Sequence, residues 1–459
     1  MGNMPQLNTD ETLRVACPVA IEIEPSNGWL SSVVSALPAA SRLLPVGYSF
    51  ADQALAVGAS FLANVMLARA QTKEEYGMFA LSYSLFTFLT GLHNSAILEP
   101  FTVYGSGRYR NRFSEYLRLM IRTNAFVGLL LSTMVLLVWL VLYLTAPLYV
   151  SRALLGLGLT VGVLLSGTFL RRVFYLQRQP AFAAQASLIC FVTVACALWL
   201  VVRAHLLNGF SVFLILSLGW IVAGLGLGRK LSLGSSGPSF LALEPGYWCE
   251  HWKYSKWVLA TALVFQLTTQ GYYWIVAGFV SVKDVAGLRA MQMLVAPMDQ
   301  VFIALSFLVL PALAARYATN SMGKFLSFSM RYALAVVTAT ALFALAVRIV
   351  GKPAMHWLYN GKFDDLAPML YILALLPLTM GIGTVMGIAL SAAEKPKLVF
   401  YAYLCSGTAT LVGGIPLVIR FGLMGAVYGL LLSASVYTAA LASGFFLVVY
   451  RKTTQLSAL

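Results

Sequence analysis

The chain has 459 residues, 60% of them hydrophobic and only 10% charged, with a net charge of +15. A soluble domain carries about 25% charge, so this composition argues against a soluble enzyme and a disordered protein and points to an all-α polytopic membrane protein. The basic excess has two explanations: Lys and Arg gathered on the cytoplasmic side of such a protein, or an anionic substrate.

Residues 1–46 read as a cytoplasmic N-terminal tail. They lack the basic start, apolar core and small-residue cleavage site of a signal peptide. Trp29, Leu30, Val33, Val34 and Leu37 either form a short interfacial amphipathic helix or belong to a plain flexible tail. Apolar stretches then predict twelve spans, at 47–69, 76–99, 117–143, 150–172, 181–202, 209–228, 255–279, 285–312, 326–350, 366–391, 397–419 and 423–449. Each supplies the roughly 20 residues that a helix needs to cross hydrocarbon. The stretch 229–253 is the longest polar interruption. Its Gly234-Ser235-Ser236-Gly237-Pro238-Ser239 has linker composition. It divides the chain into an N-terminal six-helix lobe at 47–228 and a C-terminal six-helix lobe at 254–450, with a cytoplasmic tail at 451–459.

Placing the N-terminus inside puts 21 basic residues on the inner side and 10 on the outer, so both termini are expected in the cytoplasm. Cys17, Cys190, Cys196, Cys249 and Cys405 show neither a disulfide framework nor zinc-site spacing, and read as small core residues. No metal or cofactor site is expected, and the membrane class gives no reason to expect a nucleic-acid partner.

The two halves repeat weakly. Lys73-Glu74-Glu75-Tyr76-Gly77-Met78-Phe79-Ala80-Leu81 after span one aligns with Lys283-Asp284-Val285-Ala286-Gly287-Leu288-Arg289-Ala290-Met291 after span seven. Pro100 and Pro311 are expected to end spans two and eight. Leu148-Tyr149 matches Leu358-Tyr359, and Pro180 and Pro396 open spans five and eleven. Both repeats start on the inner side, which implies a parallel repeat and a cavity between two bundles.

Phe50-Ala51-Asp52-Gln53, Leu67-Ala68-Arg69 and Glu74-Glu75-Tyr76-Gly77-Met78-Phe79-Ala80-Leu81 resemble the N-terminal signature of polysaccharide flippases of the O-antigen and exopolysaccharide type. That family belongs to the multidrug/oligosaccharidyl-lipid/polysaccharide (MOP) exporter superfamily, with multidrug-and-toxin extruders and lipid II flippases. Leu358-Tyr359-Asn360-Gly361-Lys362-Phe363 and Leu390-Ser391-Ala392-Ala393-Glu394-Lys395-Pro396 are similar to its turns before spans ten and eleven. The resemblance covers about 47–450. It implies two six-helix lobes, alternating access, and movement of undecaprenyl-diphosphate-linked oligosaccharide from the inner to the outer leaflet of a bacterial inner membrane, with polysaccharide polymerase and export machinery as partners. It transfers no site signature.

Polar residues inside the spans are the candidate sites, because ionisable groups at bilayer depth are costly. Asp299 lies about 21 Å into span eight at 1.5 Å per residue, beside Gln300 and after Pro297. It reads as a proton- or sodium-binding carboxylate, or as a structural pair. Asp52, next to Gln53 and three turns before Asn64, is shallower and either couples ions or reaches the inner interface. His93 either titrates or is a hydrogen-bonded structural histidine. Arg118 and Arg122 in span three, and Arg69 and Arg289 near the outer mouth, have the planar fork that suits a diphosphate; snorkelling is the alternative. Gln266 and Gln270 share a face of span seven, and Gln292 adds polar surface to span eight. They line a sugar-accommodating cavity or join helices. Tyr272, Tyr273 and Trp274 stack on sugars or form an aromatic belt. Gly158/Gly162, Gly383/Gly387 and Gly425/Gly429 read as close helix packing, and there is no phosphate-binding GxxxxGK[ST] loop.

Two other functions compete. A drug/cation antiporter of the same superfamily needs an acidic cavity, whereas intramembrane carboxylates are few here. A membrane polymerase or ligase needs a large outer loop, whereas the longest here is about 351–365. The chain is therefore expected not to be an enzyme.

Overall fold

The computed structural model describes residues 40–145, 148–231, 247–318, 322–393 and 395–457. The segment around Trp29, Cys17 and most of the Gly/Ser-rich linker lie outside them. The described residues are helical throughout, with no strand.

Helices α1 (Ala40–Ala70), α2 (Lys73–His93), α3 (Glu99–Ser106), α4 (Phe113–Thr145), α5 (Leu148–Leu176), α6 (Pro180–Arg203) and α7 (Gly209–Leu227) form the N-terminal lobe. A π-turn at Asn94–Leu98 joins α2 to α3, so these make one broken pass. The C-terminal lobe holds α8 (Tyr247–Phe279), α9 (Val282–Val295), α10 (Pro297–Ala318), α11 (Met322–Tyr359), α12 (Ala367–Leu373), α13 (Leu376–Ala392), α14 (Pro396–Ala409) and α15 (Ile415–Ser457). Pairs α9–α10 and α12–α13 are each one broken pass. A second π-turn, Thr410–Gly414, joins α14 to α15. Gly422, at φ 58°, folds α15 back on itself, so it contributes to two passes. Twelve passes result, in two lobes of six. Eight apolar segments are long enough to cross a membrane, one of them Pro396–Val449, which holds the last two passes. The protein is a multi-pass membrane protein. The second, seventh and eighth passes fall outside that count and meet where the lobes touch.

Local signals explain the helix ends. Thr72 and Ser281 are extended N-caps that accept from Glu75 N and Asp284 N, so the sequence repeat marks equivalent turns in the two lobes. Asn208 and Ser211 form a capping box at α7. Pro180 and Pro396 occupy first turns, where the missing N–H costs nothing. Asn360 and Gly361, both at positive φ, end α11.

Several expectations are corrected. Helix α3 carries its pass beyond Pro100 to Ser106 and α10 runs past residue 311 to Ala318, so neither Pro100 nor Pro311 ends its pass. Leu148-Tyr149 opens a helix whereas Leu358-Tyr359 closes one, so that match joins unlike positions. The stretch 351–365 is largely the end of α11, leaving a short turn. Among the described cysteines only Cys190 is buried; Cys196, Cys249 and Cys405 are exposed. Helix α8 starts at Tyr247, inside the expected linker. Tyr247 packs in an N-lobe cluster with Tyr109, Tyr116 and Met120.

Small residues set the tightest crossings. Gly128 of α4 meets Gly162 of α5, where an added Cβ would lie 3.0 Å from the Gly162 Cα. Gly429 receives the ring of Tyr272, 2.6 Å from such a Cβ. The glycine pairs are thus packing sites. Tyr272 and Tyr273 are buried, which corrects both the belt reading and the sugar-stacking reading for these two residues.

The cores define the shape. At the end bearing Arg69, one hydrophobic cluster takes residues from both lobes, including Tyr76 and Phe79 with Val285, Leu288, Tyr359 and Phe363. At the end bearing Asp52, the lobes have separate cores, around Phe101, Tyr116 and Phe169 in one and Phe302, Tyr437 and Phe445 in the other. The lobes share a core at the Arg69 end; at the Asp52 end their cores are separate except at the first turns of α8, where Tyr247 and His251 pack on Tyr116 and Glu250 pairs with Arg108 at 2.5 Å.

Candidate functional site: a polar cleft between the lobes

Arg289, Gln292, Ala296, Asp299 and Gln300 recur at helical spacing along one side of α9 and α10. The opposite side, with Met291, Val295, Met298 and Phe302, is buried. From the other lobe, α1 presents Gln53 and Asn64, three turns apart. Two cross-lobe hydrogen bonds join these stripes. Arg289 Nε donates to Asn64 Oδ1 at 3.1 Å, and Gln53 Nε2 donates to Gln300 Oε1 at 3.0 Å. The structure thus brings Gln53 to Gln300 and Asn64 to Arg289, with Gln292 joined to Arg289 through Tyr273 and Asp299 placed beside Gln300 on the same side of the pass, along the cleft between the lobes.

Arg289 is held by neutral groups. Its guanidinium lies 4.4 Å from the centre of the Tyr83 ring, and NH1 donates to Tyr273 Oη at 3.4 Å. Tyr273 in turn donates to Gln292 Oε1. Among the described residues Arg289 has no carboxylate partner. Ring faces attract cations without neutralising them, so the positive charge stays available to an anion.

Asp299 follows the break at Ala296, which Pro297 enforces by its missing N–H. Its side chain is exposed and has no hydrogen-bond or ion-pair partner among the described residues. Asp52 is the opposite case. It is fully buried and takes Arg171 Nε and NH2 at 2.8 and 2.7 Å, Tyr175 Oη at 2.7 Å and Ser187 Oγ at 2.5 Å. It ties α1, α5 and α6 together within one lobe.

His93 is buried in the N-terminal lobe, with Nε2 2.8 Å from Asn124 Oδ1. Asn124 continues to Ser166 Oγ at 3.0 Å. Beyond His93 the π-turn presents Asn94, which accepts from Arg172 and donates to Glu99, each at 3.1 Å. Gln266 is buried against Gly91 of α2, where a Cβ would sit 1.7 Å from Nε2; Gln270 is half-buried one turn on. Trp274 Nε1 donates to Ser84 Oγ at 3.0 Å across the lobes. Arg118 and Arg122 are not brought to this cleft stripe. Arg122 is exposed one turn before Phe126, Leu129 and Met134, an exposed apolar face of α4.

Arg69 belongs to the closure of the cleft. Its Nε donates to Leu358 O at 2.8 Å and NH2 donates to Trp357 O. Lys362 Nζ donates to Ala68 O, Arg69 O and Gln71 O at 3.2, 2.7 and 2.7 Å. Desolvation lowers the Lys362 ammonium from its ordinary pKa, the cost of drawing it beneath the end of α1. Lys283–Glu74 at 2.9 Å and Lys73–Asp365 at 3.8 Å add ion pairs between the lobes.

Several solved structures share this fold. An inward-facing multidrug resistance MATE family transporter of the MOP superfamily matches with TM-score 0.72 at 10% identity, over 88% of this chain and 95% of that one. An outward-facing MATE transporter matches at 0.62 and 11%, over 89% and 95%. Lipid II flippase MurJ, in an inward closed conformation, matches at 0.65 and 13%, over 90% and 92%. No protein-family model and no curated protein matches the sequence. The chain therefore has the two-lobe fold of MATE transporters and MurJ.

Proposed function

We propose that the protein flips a lipid-linked oligosaccharide diphosphate, of the undecaprenyl type, from the inner to the outer leaflet of a bacterial inner membrane by alternating access. The observation that carries this reading is Arg289, a cleft cation held by Asn64 and tyrosines with no carboxylate partner among the described residues. A cation at bilayer depth is costly; one left without a neutralising partner fits an anionic cargo. The basic-residue asymmetry makes the Arg69 end the outer one, so the cleft reaches from an outer closure towards the cytoplasm. The diphosphate binds at Arg289, the glycan occupies the polar cleft, and the acyl chain stays in lipid. Asp299, unpartnered and exposed, takes the coupling proton or sodium ion.

Asp299 also favours a second reading, an antiporter that holds an organic cation on that carboxylate. A deletion strain separates the two. The flippase reading expects lipid-linked repeat units to accumulate on the inner leaflet and surface polysaccharide to fall. Normal polysaccharide with raised sensitivity to cationic dyes supports the antiporter.

A further inference from the structure

Arg171 orients a cross-lobe contact at the Asp52 end of the cleft. While its fork holds Asp52, its NH2 group also donates to Gln53 Oε1 at 3.0 Å. That bond fixes the Gln53 amide plane and directs Nε2 to Gln300 Oε1. Both glutamines lie about 25 Å from the Arg69 ends of their passes, at 1.5 Å per residue. The contact is neutral, unlike the charge-assisted bonds at the opposite end and the Arg108–Glu250 pair on the first turn of α8, which are roughly twice as strong. A single amide pair is a poor lock and an easily exchanged one.

We propose that Gln53 and Gln300 are specificity-determining residues that bind the sugar part of the cargo, with Arg171 positioning Gln53. This rests on the flippase reading above. A sugar hydroxyl donates and accepts at once, so it can replace each amide's partner without leaving either unpaired. It accepts a hydrogen bond from Gln53 Nε2 and donates one to Gln300 Oε1. A diphosphate only accepts, and would leave the Gln300 carbonyl unmatched; its place is Arg289. Arg289 and Gln300 are about 16 Å apart along the pass, so a diphosphate at the first places sugars at the second.

The test uses the full chain in vesicles with two probes, a polyprenyl diphosphate bearing a short oligosaccharide and the same lipid without sugar. Appearance in the far leaflet is measured for each. Gln53→Leu and Gln300→Leu should each lower the ratio of glycan-bearing to bare transport about tenfold, the scale of one net hydrogen bond. Arg289→Gln should lower both and leave the ratio unchanged. If Gln53→Leu fails to fold because Arg171 loses an acceptor, Gln300→Leu carries the same test, since among the described residues its side chain bonds only Gln53. An unchanged ratio in a folded Gln300→Leu overturns the assignment. A wild-type protein that moves neither lipid overturns the flippase reading, and the assignment falls with it.

Discussion

Arg69 and Lys362 cap each other's helices across the lobe boundary. Arg69, at the end of α1, donates to the last carbonyls of α11; Lys362, just beyond α11, donates to the last carbonyls of α1. Each cation meets the negative end of a helix dipole and satisfies carbonyls that the helix leaves open. Neither bond uses a carboxylate.

This crossed pair should bias the protein towards closure at that end. Lys362→Ala or Arg69→Ala removes charge-assisted bonds of about 1.5–3 kcal/mol each. A cysteine at Leu366, buried in the closed state, should then react severalfold faster with an impermeant thiol reagent. Labelling at the wild-type rate would show that the pair does not hold the closure.

Gly77 tests the same seam by shape. A Cβ there would lie 2.0 Å from Val282 O, so Gly77→Ala must separate α2 from α9. A loss of about 1–3 kcal/mol is expected from such overpacking, read as a lower melting temperature. Gly271→Ala, with nothing within 4 Å of its Cβ, should melt like wild type.

The two intramembrane aspartates should separate cleanly. Asp52→Asn leaves the half-buried Arg171 without its counter-charge and should cost about 3 kcal/mol, seen as poor recovery of folded protein. Asp299→Asn breaks no contact and should fold normally. If Asp299 takes the coupling ion, that variant loses gradient-driven transport in vesicles, and unchanged gradient dependence removes the role.

Acid should reach the closure through Glu74. Its hydrogen bond to Lys283 lowers its pKa below the ordinary 4.5. A depressed carboxyl contributes its stabilisation above the unfolded value and loses it as pH falls through the folded one. Labelling of a Leu366→Cys variant, taken relative to an exposed reference cysteine so that the loss of thiolate in acid cancels, should therefore rise only below the ordinary glutamate range. Glu74→Gln should remove that acid dependence.

Much of the architecture was readable because it is written in continuous apolar runs and capping residues, which act locally. The stripe on α9 and α10 was legible for the same reason: Gln292 and Asp299 recur at helical spacing. Partners distant in sequence were not. Asp52 shows as an acid in a span, while the Arg171 that neutralises it lies far along the chain on another helix. Lys362 sits in a recognisable turn, yet only folding brings it to the end of α1. The break after His93 has no proline; it is a π-turn. Arg122 looks like Arg289 in a list of intramembrane cations, and only the exposed apolar face of α4 distinguishes them.

The shared core beneath Arg69 and Lys362 bears on what the idle protein does. Opening that end would wet the faces of Tyr76, Phe79, Val285 and Phe363, which now bury one another. Water and ions gain nothing by entering such a seam. That end of the molecule is therefore sealed by apolar surface rather than by its ion pairs alone, and a change that loosens the ion pairs still leaves this seam to be wetted.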